Sequence, residues 1–153
     1  MKELAVRVAV AVVGIPLLLF IILKGGLYFY LFSVVVTVIG QWEMYQLLRQ
    51  KGSKPMMVAG LFSGQVLLAL VYTGPNALLF FVLLLFVIFI FGAEMFKNNG
   101  SPLINTSATL SGIVYPTFFW GSLLFLRENV ATLFAKDYSF GGKFVLLMFV
   151  AIW

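Results

Sequence analysis

An all-α, polytopic transmembrane helical bundle is the fold class this sequence predicts, and three observations carry it. Of 153 residues, 63% are hydrophobic and only 10% charged, and the mean hydropathy is +1.11, more apolar surface than a water-soluble core of this size can hide. The apolar residues come in runs of membrane-spanning length, since a hydrocarbon layer of roughly 30 Å takes about 20 helical residues to cross. The runs also lack the period-2 alternation of barrel strands, and in lipid each backbone amide needs a partner within its own segment, which leaves helices. About five complete spans plus a truncated sixth are expected.

The first span runs from about Val8 to Leu23 behind Lys2 and Arg7 and contains Pro16, which removes one ladder hydrogen bond and invites a kink. No small-residue cleavage pattern follows it, so it reads as a retained helix rather than a signal peptide. The second begins near Leu27 after a Gly25-Gly26 turn, turns amphipathic from Gln41 to Leu48, and closes on Arg49, Lys51, Gly52, Lys54 and Pro55. The third, about Met56 to Tyr72, carries Gly60 and Gly64 at GxxxG spacing, a face that can pack closely on another helix. The fourth covers about Asn76 to Ala93 and is filled with phenylalanine. A polar connection, Lys97 to Asn105, leads to the fifth at about Thr106 to Leu126, an interior helix expected to kink at Pro116, which cannot donate to the Gly112 carbonyl. A wetter loop from Arg127 to Gly142 precedes a sixth run that opens at Phe144 and stops at Trp153. That run rises only about 15 Å, half a bilayer, so the sequence reads as cut off inside a helix.

Cysteine and histidine are both absent, which removes disulfides, thiolate nucleophiles, imidazole bases and the usual zinc ligands. The formal charge of +5 lies in the connections between spans, where it reads as contact with anionic headgroups and as a topology signal rather than as nucleic-acid binding. Lys2, Arg7, Arg49, Lys51, Lys54 and Lys97 fall on one side of the membrane, and Lys24, Arg127, Lys136 and Lys143 on the other, a bias that favours a cytoplasmic N-terminus.

The acids are Glu3, Glu43, Glu94, Glu128 and Asp137, and no two lie within one helical turn. Nothing local therefore reads as a paired-carboxylate or two-metal site, and there is no phosphate-cradling GxxxxGKS/T loop. No catalytic or metal-binding residue is assigned. The substrate-binding candidates are Glu43 with Gln46 at i+3, and Ser107 with Ser111 one turn apart. Glu43 reads either as the lining of a headgroup cavity or as an interfacial carboxylate neutralised by Arg49, Lys51 or Lys54. The serines either meet substrate or hydrogen-bond between helices. Glu94 and Lys97 read as an interfacial i,i+3 salt bridge.

The order of these features resembles a known family. An Arg-led first span with Ile15-Pro16-Leu17-Leu18-Leu19, a Gly-Gly turn, a second span closing on Trp42-Glu43-Met44-Tyr45-Gln46-Leu47-Leu48, and then Lys51-Gly52-Ser53-Lys54-Pro55 are similar to the N-terminal part of the phosphatidate cytidylyltransferase, or CDP-diacylglycerol synthase, family. The stretch from Gly112 to Arg127 is similar to a following span there, and Ala151-Ile152-Trp153 resembles the start of the next. The resemblance implies an integral enzyme of the bacterial inner membrane that joins CTP and phosphatidic acid into CDP-diacylglycerol, releases pyrophosphate and uses Mg2+. It also leaves room for a homodimer, and it puts the catalytic carboxylates in a C-terminal half beyond Trp153, so that residues 1–153 are expected to be the transmembrane portion of a larger enzyme and inactive alone. A small transporter or channel component, or a structural membrane protein, is the alternative, although no internal repeat supports transport.

Overall fold

The computed structural model describes residues 2–74, 77–97 and 100–152, with side chains from residue 12 to 151 of these. The expected start of the fourth run at Asn76 and the end of the sixth at Trp153 lie outside the described residues, as do the side chains of Lys2, Glu3 and Arg7. Six helices follow in order: α1 Lys2–Lys24, α2 Gly26–Gln50, α3 Met57–Tyr72, α4 Leu78–Met95, α5 Pro102–Leu133 and α6 Ser139–Ile152. No strand occurs among the described residues. Three of the helices, α2, α4 and α5, are long and apolar enough to cross a membrane, while α3, α6 and the part of α1 with described side chains, Val12–Lys24, are shorter apolar stretches.

The breaks between helices are written in glycine. Gly25 and Gly26, with φ of 63° and 58°, take the left-handed backbone that other residues avoid, and so end α1 and redirect the chain into α2. Gly52, at φ 87°, ends α2 in a Schellman motif: its N–H donates to Arg49 O (2.9 Å) and that of Ser53 to Leu48 O (3.2 Å). The end of α5 has the same pattern, Lys136 N to Ala131 O at 2.9 Å and Ala135 N to Thr132 O at 3.4 Å, but there the left-handed position, φ 49°, is held by Ala135.

Two of these elements correct the sequence reading. Arg127 to Gly142 is not a loop: α5 continues to Leu133 and α6 starts at Ser139. Arg127 is fully buried, and a Cβ on Gly141 would overlap the Arg127 carbonyl. The glycine pair that looked like loop punctuation thus lets two helices approach backbone to backbone.

The chain divides into two compact units, Met1–Phe32 with Leu126–Trp153, and Ser33–Phe125. In the first, α1 packs on α6, with Ile22, Phe29, Val130, Ala131 and Val145 buried. In the second, α3 packs on α4, and Leu67, Ile90 and Ile113 form a core joined by Val82, Leu83, Phe86 and Leu110.

Candidate functional site: two buried polar clusters

In the Ser33–Phe125 unit, α2 turns a stripe of polar residues inward at four-residue spacing: Ser33, Thr37, Gln41 and Tyr45 are all buried on one helical face. The Gln65 amide on α3 donates to Gln41 Oε1 (3.1 Å) and Thr37 Oγ1 (3.3 Å), Thr37 donates to Ser33 O (2.8 Å), and Gln41 Nε2 donates to Gly60 O (3.3 Å). The expected GxxxG face is what admits them, because a Cβ on Gly64 would overlap the Gln41 amide and one on Gly60 the Tyr45 hydroxyl. From the other side the Tyr45 ring lies against Gly112 of α5, where a Cβ would again collide, and its hydroxyl donates to Thr109 O at 3.0 Å.

The cluster continues to the ends of α4 and α5. Thr109 Oγ1 donates to Asn105 O (2.8 Å) and accepts from the Met56 backbone (2.9 Å). Asn105 accepts the Lys54 N–H on Oδ1 at 2.8 Å and donates from Nδ2 to Glu94 Oε1 at 2.7 Å. Glu94 is only 1% exposed, so the expected salt bridge to Lys97 is replaced by a buried carboxylate–amide bond. A carboxyl group buried at the end of an apolar helix needs such a partner, and the preceding hydrophobic turns of α4 supply none.

The second cluster belongs to the other unit. Arg127 donates from Nε to Ile22 O and from Nη2 to Leu23 O (2.9 Å), capping the last carbonyls of α1, where a cation also meets the negative end of the helix dipole. Glu128 accepts the Gly26 N–H on Oε1 at 2.8 Å, the complementary arrangement at the start of α2. Its Oε1 lies 4.0 Å from Arg127 Nη1, and its Oε2 accepts the Tyr138 hydroxyl at 2.6 Å. The Tyr138 ring sits 4.6 Å from the guanidinium carbon. Burial, and then the hydrogen bond to Glu128, hold the Tyr138 hydroxyl above the usual tyrosine range.

The four sequence candidates stand apart from both clusters. Glu43, Gln46, Ser107 and Ser111 are all exposed, and no hydrogen bond joins the first pair to the second among the described residues. Ser107 Oγ donates to Leu103 O (2.6 Å) and Ile104 O (3.2 Å) within its own helix. Glu43 forms no ion pair among the described residues, where the single pair is Arg127 with Glu128. Sequence reasoning missed Asn105 and Arg127. The signals for Arg127 were the glycine pairs at 25–26 and 141–142, which bracket a close approach.

The chemistry within reach follows from this inventory. No group of three Asp, Glu, Cys or His side chains that could hold a metal occurs among the described residues; Glu94 is committed to Asn105 and Glu128 to Gly26 and Tyr138. These residues therefore do not fit a Mg2+–triphosphate centre, and both clusters are built to join helices. No curated protein and no solved structure matches the chain. The sequence profile of the cytidylyltransferase family matches residues 5–153, which spans both units and both clusters. The chain belongs to the cytidylyltransferase family, a family of CTP-using nucleotidyltransferases.

Proposed function

We propose that this protein serves CTP:phosphatidate cytidylyl transfer in phospholipid synthesis. In that reaction a phosphate oxygen of phosphatidic acid attacks the α-phosphorus of CTP, the bond to the β-phosphate breaks, and CDP-diacylglycerol and pyrophosphate result. The observation that carries the proposal is family membership over residues 5–153 in a chain whose long helices are apolar enough for lipid, the phase in which such an acceptor resides. Mg2+ would offset the triphosphate charge in such chemistry, but two of the described acids, Glu94 and Glu128, are engaged with Asn105 and with Gly26 and Tyr138, and no three acids gather among the described residues.

Within this reading the helices form five complete spans and a sixth in α6, in a bacterial inner membrane. The N-terminus and the α2–α3 connection lie on the cytoplasmic side and the α5–α6 connection opposite, in keeping with the Lys and Arg bias. The outward faces bearing Glu43 with Gln46 and Ser107 with Ser111 are where a lipid headgroup can reach polar groups without breaking the buried clusters. The test uses membranes from the source cell with and without the gene, given labelled CTP and phosphatidic acid. Labelled CDP-diacylglycerol should fall on gene loss and return with the gene; unchanged formation, or label moving to a different acceptor, contradicts the proposal.

A further inference from the structure

The α2–α3 and α4–α5 connections meet at one end of the Ser33–Phe125 unit. The Lys54 N–H donates to Asn105 Oδ1 (2.8 Å), Asn105 Nδ2 donates to Glu94 Oε1 (2.7 Å), and the Lys97 N–H donates to the Glu94 carbonyl (3.1 Å). One bracket therefore fixes the backbones of Lys54 and Lys97 to the same cluster. Arg49, Lys51, Lys54 and Lys97 all point their side chains outward, and none makes an ion pair among the described residues. The acid nearest Lys97 in sequence, Glu94, is turned inward to Asn105, and Glu43, the nearest exposed acid, sits about 9 Å up the α2 axis from Arg49. Burying Glu94 leaves a cationic end without an exposed carboxylate to compete for it.

We propose that this end is a docking surface for anionic phospholipid headgroups. A phosphate group is recognised here by several cations at once, and clusters of this size beside membrane helices attract anionic lipid. A free polyphosphate such as CTP shares the phosphate chemistry, but the cations are interleaved with large exposed apolar side chains: Val58, Met95, Phe96 (93% exposed) and Leu103. Those belong against acyl chains just below a headgroup layer and offer a soluble nucleotide nothing. The surface is independent of the reaction proposed above and does not require turnover.

The test is native mass spectrometry of the full chain in neutral detergent, titrated with phosphatidylglycerol, phosphatidic acid and phosphatidylcholine of matched acyl chains. Both anionic lipids should bind about tenfold or more tighter than phosphatidylcholine. The triple variant Lys51→Gln, Lys54→Gln, Lys97→Gln should lose that preference, while Lys24→Gln with Lys136→Gln, in the other unit, should keep it. Millimolar CTP should displace neither lipid. Equal affinity for neutral and anionic lipid, a preference that survives the triple variant or is lost in the control pair, or displacement by CTP would each overturn the proposal.

Discussion

A guanidinium with no access to water needs acceptors for its N–H groups, and Arg127 finds two of them at the open end of α1. Its Nε and Nη2 cap the carbonyls of Ile22 and Leu23, and Glu128 and Tyr138 surround the charge. Removing one partner of a buried pair leaves the other uncompensated. Arg127→Met should therefore lower stability by about 3 kcal/mol or more, read as an earlier unfolding midpoint in mild detergent. Glu128→Gln should cost less, because an amide oxygen still accepts from Gly26, and the double variant should cost less than the sum. Ala135 holds the opposite kind of opportunity. It occupies a left-handed position at φ 49°, so Ala135→Gly should raise stability by about 0.5–1 kcal/mol, and an unchanged or lower midpoint would count against the geometry of that cap. Arg127 was hard to recognise in the sequence because an arginine after an apolar run looks the same whether it faces water or reaches a neighbouring helix end.

At the scale of elements, Tyr45 is the wedge between α2, α3 and α5, and glycines at 60 and 112 leave room for it. Gly112→Ala should cost about 1–3 kcal/mol by overpacking, and Tyr45→Ala in the same chain should restore part of the loss. Gly92→Ala on α4, where an added Cβ meets nothing within 4 Å, should be neutral or mildly stabilising. Equal losses at 112 and 92 in thermal unfolding would refute the wedge. The close-packing face of α3 was legible from its GxxxG spacing, and the helices themselves from the lengths of the apolar runs. The inward stripe at residues 33, 37, 41 and 45 was missed in favour of Glu43 and Gln46, although polar residues repeat there at every fourth position of an apolar helix. On α5 two polar pairs have equal spacing, Asn105 with Thr109 and Ser107 with Ser111; the sequence reading puts Asn105 in the preceding connection and takes the second, whereas α5 already begins at Pro102. The structure buries the first and exposes the second. The partner of Glu94 was misread for a related reason: i,i+3 proximity to Lys97 is a local rule, whereas the Asn105 amide reaches it from the next helix.

For the whole molecule, the Lys and Arg bias of the sequence predicts that the α2–α3 and α5–α6 connections face opposite sides of a membrane. Single cysteines at the exposed positions Lys51 and Ser139 should react with an impermeant thiol reagent from opposite faces of intact cells and inverted vesicles; labelling of both from one face would reverse the topology argument.

The central claim is that the two buried polar clusters join helices, and that the acids among the described residues do not gather into a metal site for phosphoryl transfer. Its most direct measurement is an assay of the purified 153-residue chain with labelled CTP, phosphatidic acid and Mg2+, after rigorous removal of host enzyme. The account predicts no labelled CDP-diacylglycerol above a blank purified in parallel. Sustained turnover by this chain would contradict it, because the acids would then have to assemble a metal-binding site that is not found among the described residues.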